Sequence, residues 1–143
     1  MANELHLSVQ ASEEGAAQAS ESVGEYLAAN QVPDETAYAV SLAIEELVTN
    51  TVKYGFQDDR EKQIELAVSL KADEVLLRSA DNGEEFDPFS APEPNLDLPL
   101  EGRPIGGLGL HLIRKMSSRC EYRRQDGQNI IEITFKHATG GGQ

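Results

Sequence analysis

Between residues 81 and 107 the chain reads DNGEEFDPFSAPEPNLDLPLEGRPIGG, a run that holds five of its six prolines. Proline lacks the amide N–H that a helix interior or a sheet ladder needs, so this run is excluded from regular helix and from a central strand. Regular structure must form in the two blocks on either side. A long irregular loop in a chain of 143 residues is usually functional or disordered. That length suits one compact domain whose single core buries about two-thirds of the unfolded surface. The expected organisation is one domain over residues 1–137 and a flexible tail, ATGGGQ, over 138–143.

In the first block, LHLSV places Leu5, Leu7 and Val9 on one face of a short strand. Residues 12 to 29 read as a helix opened by Ser12 as N-cap and ending near Asn30. Pro33 fits the start of a second helix, in which Val40, Ala43, Ile44, Leu47, Val48 and Thr51 recur at the spacing of a buried stripe and Gly55 is a plausible stop. Leu42, Glu46, Asn50 and Lys53 fall on an adjoining line. QIELAVSL and EVLLRSA read as two strands joined by a turn around Lys71 to Asp73. Past the proline-rich run, residues 108 to 117 resume a helical pattern, and CEYRRQ and NIIEITF predict a hairpin around Asp126 and Gly127.

Twelve basic against twenty-five acidic side chains give a net charge of −13. The Lys and Arg are scattered along the chain, so a nucleic-acid backbone or an anionic membrane surface would be repelled. Cys120 is the one cysteine, which excludes an internal disulfide and suits a reducing cytoplasm. The polar start MANELHLSVQ lacks the pattern of a signal peptide. A cytoplasmic protein is the expectation. His6, His111 and His137 show no zinc-ligand spacing and read as surface or packing residues.

Three places carry chemistry. Glu46 and Asn50, four apart on the second helix, point their carboxylate and amide into one space. A carboxylate can take a proton from an attacking hydroxyl, and an amide oxygen can ligate Mg²⁺ without adding charge. Taken alone, such a pair is more often just a solvated helix face. In ADNGEEFDP, Asp81 at a strand end can accept a hydrogen bond from an exocyclic amine, and Gly83 lets a flat ring come close, although Asp-Asn-Gly is also ordinary turn chemistry. In GGLGLHLIRKM, Gly106, Gly107 and Gly109 lead into a helix whose free N–H groups could cradle phosphates. No Lys-Ser or Lys-Thr follows as in a Walker loop, and a flexible lead-in to the helix is the plain alternative.

The order of the three is more specific than any one of them. Glu-x-x-x-Asn on a helix, Asp-x-Gly after a strand, and a long loop closing with Gly-x-Gly resemble the ATP-binding domain shared by gyrases, Hsp90, histidine kinases and MutL. Within that superfamily EELVTN, DNGEEFDP and PIGGLGLHLIRKM look most like the stand-alone anti-sigma-factor serine/threonine kinases of bacteria, over roughly residues 5 to 137. The resemblance implies the Bergerat ATP-binding fold, an α/β (α+β) two-layer sandwich whose mixed, mostly antiparallel sheet is covered on one face by helices.

It further implies that Glu46 is the general base, that Asn50 holds Mg²⁺, and that Asp81 takes the adenine amine with Gly83 beside the purine. Lys53, Phe86, Gly106, Gly107, Leu108 and Gly109 would complete the ATP site, with residues 86 to 106 as a nucleotide lid. The function implied is an Mg·ATP-dependent protein serine/threonine kinase. It would phosphorylate an anti-anti-sigma partner and sequester a sigma factor, with no nucleic acid or membrane as partner, and a homodimer is compatible with it. An ATP-gated binding module with little or no phosphoryl transfer is the alternative. The chain departs from the family at three points: Ile105 precedes the second glycine box where Arg is common, with Arg103 the nearest candidate; Tyr54 replaces the usual His; and a Thr common in the last strand has no clear match around Asn129 and Ile130.

Overall fold

The computed structural model describes residues 3–55, 61–89 and 107–138. Most of the expected lid, with Gly106, Arg103 and Ile105, and nearly all of the expected tail lie outside the described residues.

Strand β1, Asn3–Val9, leads into helix α1, Glu13–Ala29. Ser12 caps α1 as the sequence predicts: its extended backbone lets Oγ accept from the Gly15 N–H at 2.9 Å, while Glu13 and Glu14 complement the positive helix end. Asn30 closes the helix, its Nδ2 donating back to the Tyr26 carbonyl at 2.8 Å. Helix α2, Asp34–Asn50, begins after Pro33, whose fixed φ suits the position. The expected stripe Val40, Ala43, Ile44, Leu47, Val48 and Thr51 is buried throughout.

Past Asn50, α2 passes into a single π-helical turn, Thr51–Gly55, whose last residue is the glycine that the sequence offers as a stop. Strands β2, Ile64–Lys71, and β3, Glu74–Asp81, form the first hairpin. Helix α3, Gly107–Met116, is followed by β4, Arg119–Gln125, and β5, Gln128–Lys136. The turn of that second hairpin puts Asp126 at φ 53° and Gly127 at φ 76°. Both central residues of a tight right-twisting hairpin turn need positive φ, and Asp-Gly tolerates it.

The sheet order is β1-β2-β3-β5-β4. All four ladders are antiparallel, so the sheet has the mostly antiparallel character expected, with no parallel ladder among the described residues. β5 enters between β3 and β4, which brings Asn129 opposite Asp81. The inward residues of β2, β3 and β5 pack with α1 and α2 in one core, whose largest fully buried side chains include Phe135, Leu27, Ile44, Ile64, Leu66 and Leu77. On the other face the exposed residues Glu4, His6 and Ser8 of β1 and Glu65 of β2 meet solvent. Burying one face of sheet and helices and leaving the other wet is what an antiparallel two-layer arrangement requires. Ile113, fully buried, anchors α3 to the same core. No helix of the described residues is long and apolar enough to cross a membrane.

Candidate nucleotide site

The C-terminal end of α2, the ends of β3 and β5, and the segment after β3 converge on one small cavity. Its lining is Leu47, Asn50, Thr51, Asp81, Phe86, Pro88, Asn129 and Ile131, and it holds about 10 Å³, room for about one water. It marks a floor at Asp81, not the whole volume of a nucleotide. Asn50, Asp81 and Asn129 are polar yet only 4%, 3% and 3% exposed. Polar groups so withdrawn from water need partners.

Asp81 finds two. The Gly83 N–H donates to Oδ1 at 2.9 Å, the local turn expected of Asp-Asn-Gly, and Asn129 Nδ2 donates to the same oxygen at 3.0 Å. Both bonds end on Oδ1, so Oδ2 remains as an acceptor. The neighbouring Asn82 ties the strand end to the start of β2, with Nδ2 donating to the Glu61 carbonyl at 2.7 Å and Oδ1 accepting from the Gln63 N–H at 2.9 Å. The Phe86 N–H donates to Asn129 Oδ1 at 3.2 Å, which holds the segment after β3 against β5.

Glu46 is half-buried on α2, one turn before Asn50, and its buried Oε1 has no hydrogen-bond partner among the described residues. Burial raises its pKa above the usual carboxylate value; the Lys53 charge pulls the other way and Glu45 adds to the rise. A carboxylate with one oxygen withdrawn from water and left without a donor holds a proton more tightly, the condition of a stronger base. Lys53 itself is exposed, in the π-helical turn directly after Asn50, and such turns in α-helices are frequent at functional sites.

Asn50, Asp81 and Phe86 thus share one cavity, Gly83 braces Asp81 from beside it, and Glu46 and Lys53 stand along α2 and its extension. The backbone of Gly107, Leu108 and Gly109 forms the first turn of α3, which packs against α2. Among the described residues there is no group of three or more His, Cys, Asp or Glu placed to hold a metal ion. Two lining residues have roles that the sequence alone did not suggest. Thr51, placed in the hydrophobic stripe, also lines the cavity, and Asn129, where no counterpart of the family Thr was apparent, is the direct partner of Asp81. No local pattern marks Asn129: it comes opposite the end of β3 through the β3–β5 ladder, whose strands are not consecutive in the chain.

The chain is similar to known proteins over most of its length. The sequence pattern of the histidine kinase-like ATPase domain family matches residues 9–135. The serine/threonine-protein kinase BtrW of Bordetella bronchiseptica is 33% identical over 101 residues, 71% of each chain. The serine-protein kinase RsbW of Bacillus cereus is 28% identical over 67% of this chain and 62% of its own length, and that of Listeria innocua 26% identical over 67% and 64%. Among solved structures, the RsbU and RsbW domains of Rv1364c from Mycobacterium tuberculosis superpose with a TM-score of 0.67 at 19% identity, covering 94% of this chain and 32% of that one, a likeness of fold.

Proposed function

The chain belongs to the histidine kinase-like ATPase domain family, and from that premise we propose that it is an Mg·ATP-dependent protein serine kinase with an anti-sigma role. The observation that carries this reading is the buried, unpartnered Oε1 of Glu46 one turn from Asn50. A carboxylate without a partner is costly to keep unless it has work to do. Glu46 is set to accept the proton of a serine hydroxyl as that oxygen bonds to the γ-phosphorus and ADP departs. Asp81 Oδ2 is the acceptor for the exocyclic amine of adenine, with Phe86 lining the same cavity. The Asn50 amide oxygen would hold Mg²⁺, whose remaining ligands would be phosphate and water oxygens. That ion would supply positive charge for phosphoryl transfer that a chain of net charge −13 does not.

The substrate we assign is a serine of a small anti-anti-sigma protein, with a sigma factor as the partner held in the alternative state. Both follow from the family resemblance, and the relatives' names, serine-protein kinases, support the acceptor residue. Incubating the chain with Mg²⁺, radiolabelled ATP and a candidate anti-anti-sigma protein tests the reading. Label on a partner serine that vanishes with Glu46→Gln supports it; tight Mg·ATP binding without label would leave a nucleotide-gated binding module.

A further inference from the structure

The Asn129 side chain makes five hydrogen bonds. Nδ2 donates to Asp81 Oδ1 at 3.0 Å and to the Glu84 carbonyl at 2.8 Å. Oδ1 accepts from the Tyr122 hydroxyl at 2.7 Å, Arg124 Nη1 at 3.1 Å and the Phe86 N–H at 3.2 Å. An amide has two N–H donors and one oxygen, so its capacity is spent within the protein. The orientation is also forced. Turning the amide over would set its oxygen against a carboxylate and a carbonyl, and its NH₂ against the N–H groups of Arg124 and Phe86.

We infer that Asn129 is a positioning residue for base selection: with no N–H left for a base, it acts by locking the polarity of Asp81. Two donors converge on Asp81 Oδ1, and the carboxylate cannot turn without losing both. A single acceptor, Oδ2, is presented at a fixed place. The same amide holds the floor beside it, because Glu84 O and Phe86 N are its partners and Arg124 Nη1 also donates to the Gly83 carbonyl at 2.8 Å. The carboxylate and the 83–86 turn therefore keep one geometry before any base arrives, and preorganised acceptors discriminate better than mobile ones.

The inference rests on the reading that Asp81 takes the amine of adenine, and the test separates the two. Binding of ATP and of purine riboside triphosphate, the same ring without the amine, is measured by calorimetry for wild type and Asn129→Ala. The ratio of the two Kd values reads recognition of the amine alone, since the triphosphate contributes equally to both. Wild type should prefer ATP strongly, and Asn129→Ala should cut that preference about tenfold while leaving affinity for the purine analogue nearly unchanged. Wild-type discrimination that persists undiminished in Asn129→Ala overturns the positioning role and leaves Asp81 as the amine acceptor. Equal binding of both nucleotides by wild type overturns the adenine reading, and the inference with it. If Asn129→Ala does not fold, Arg124→Ala decides, because Arg124 is exposed and its loss spares the core. A fall of a few-fold in the same ratio supports the clamp, and no change removes it.

Discussion

Lys53, in the π-helical turn beyond α2, acts on the Glu46 carboxylate, and its charge opposes the burial that makes that group hold its proton. Lys53→Gln should therefore raise the Glu46 pKa further. At saturating ATP the acidic limb of the kcat–pH profile should move to higher pH, modestly because Lys53 is exposed and screened. Added salt should shift wild type the same way, whereas in the variant, where the Glu45 repulsion is the charge effect left to screen, it should not. Identical profiles for the two proteins would show that Lys53 does not tune the base.

Glu46→Gln should separate chemistry from both binding and stability. It keeps the shape of the side chain and removes the proton acceptor, so phosphoryl transfer should fall by roughly 10²-fold or more with Mg·ATP affinity retained. Because Glu46 binds its proton more tightly folded than unfolded, its charge costs stability, and that cost grows as pH rises from the ordinary carboxylate value near 4.5 through the raised one. The Gln variant should thus melt above wild type at neutral pH and lose that advantage in acid. Thermal scans across pH check this, and a destabilised variant at neutral pH would contradict it.

Asp81→Asn should do more than weaken ATP. Gly83 N–H and Asn129 Nδ2 both donate to the position of Oδ1, so the new amide must place its oxygen there and its NH₂ where Oδ2 was. An NH₂ facing the adenine amine repels it, whereas a 6-oxo purine offers a carbonyl. Wild type should prefer ATP over inosine and guanosine triphosphates, and Asp81→Asn should reverse the order between ATP and inosine triphosphate. A titration in which the variant loses all three equally would refute the polarity argument.

Gly15→Ala should destabilise the protein, against the usual helix preference for alanine. A Cβ at Gly15 would overlap the Gln10 carbonyl oxygen, a backbone atom that cannot step aside without moving the end of β1 and the Ser12 cap, whose N–H it accepts. The overlap should outweigh the roughly 1 kcal/mol that alanine gains in a helix interior and leave a net loss of about 1–3 kcal/mol, read from urea unfolding.

What could be read from the residues alone was local. Ser12 capping α1, the stripe from Val40 to Thr51, the alternation of Leu5, Leu7 and Val9, and the Asp126–Gly127 turn each depend on neighbours within a turn or a hairpin, and each formed as expected. Glu46 and Asn50 were found for the same reason, since a spacing of four places them on one helix face whatever the rest of the chain does. The fold class followed from the order of the elements and the family resemblance.

Tertiary structure decided what depends on distant segments. The insertion of β5 between β3 and β4 sets the Asp81–Asn129 register, and no periodicity encodes a pairing between residues 81 and 129. Only that pairing shows that the amide of Asn129 is spent on Asp81 and on the turn that follows it. Burial likewise belongs to the assembled layers: the same Glu46 on an isolated helix would be solvated and ordinary, and it becomes an unpartnered acid with a raised pKa because the elements packed around it exclude water. Local sequence specifies conformation because backbone and near-neighbour forces are short in range. Electrostatic character comes from the dielectric and the donors that folding brings from elsewhere in the chain.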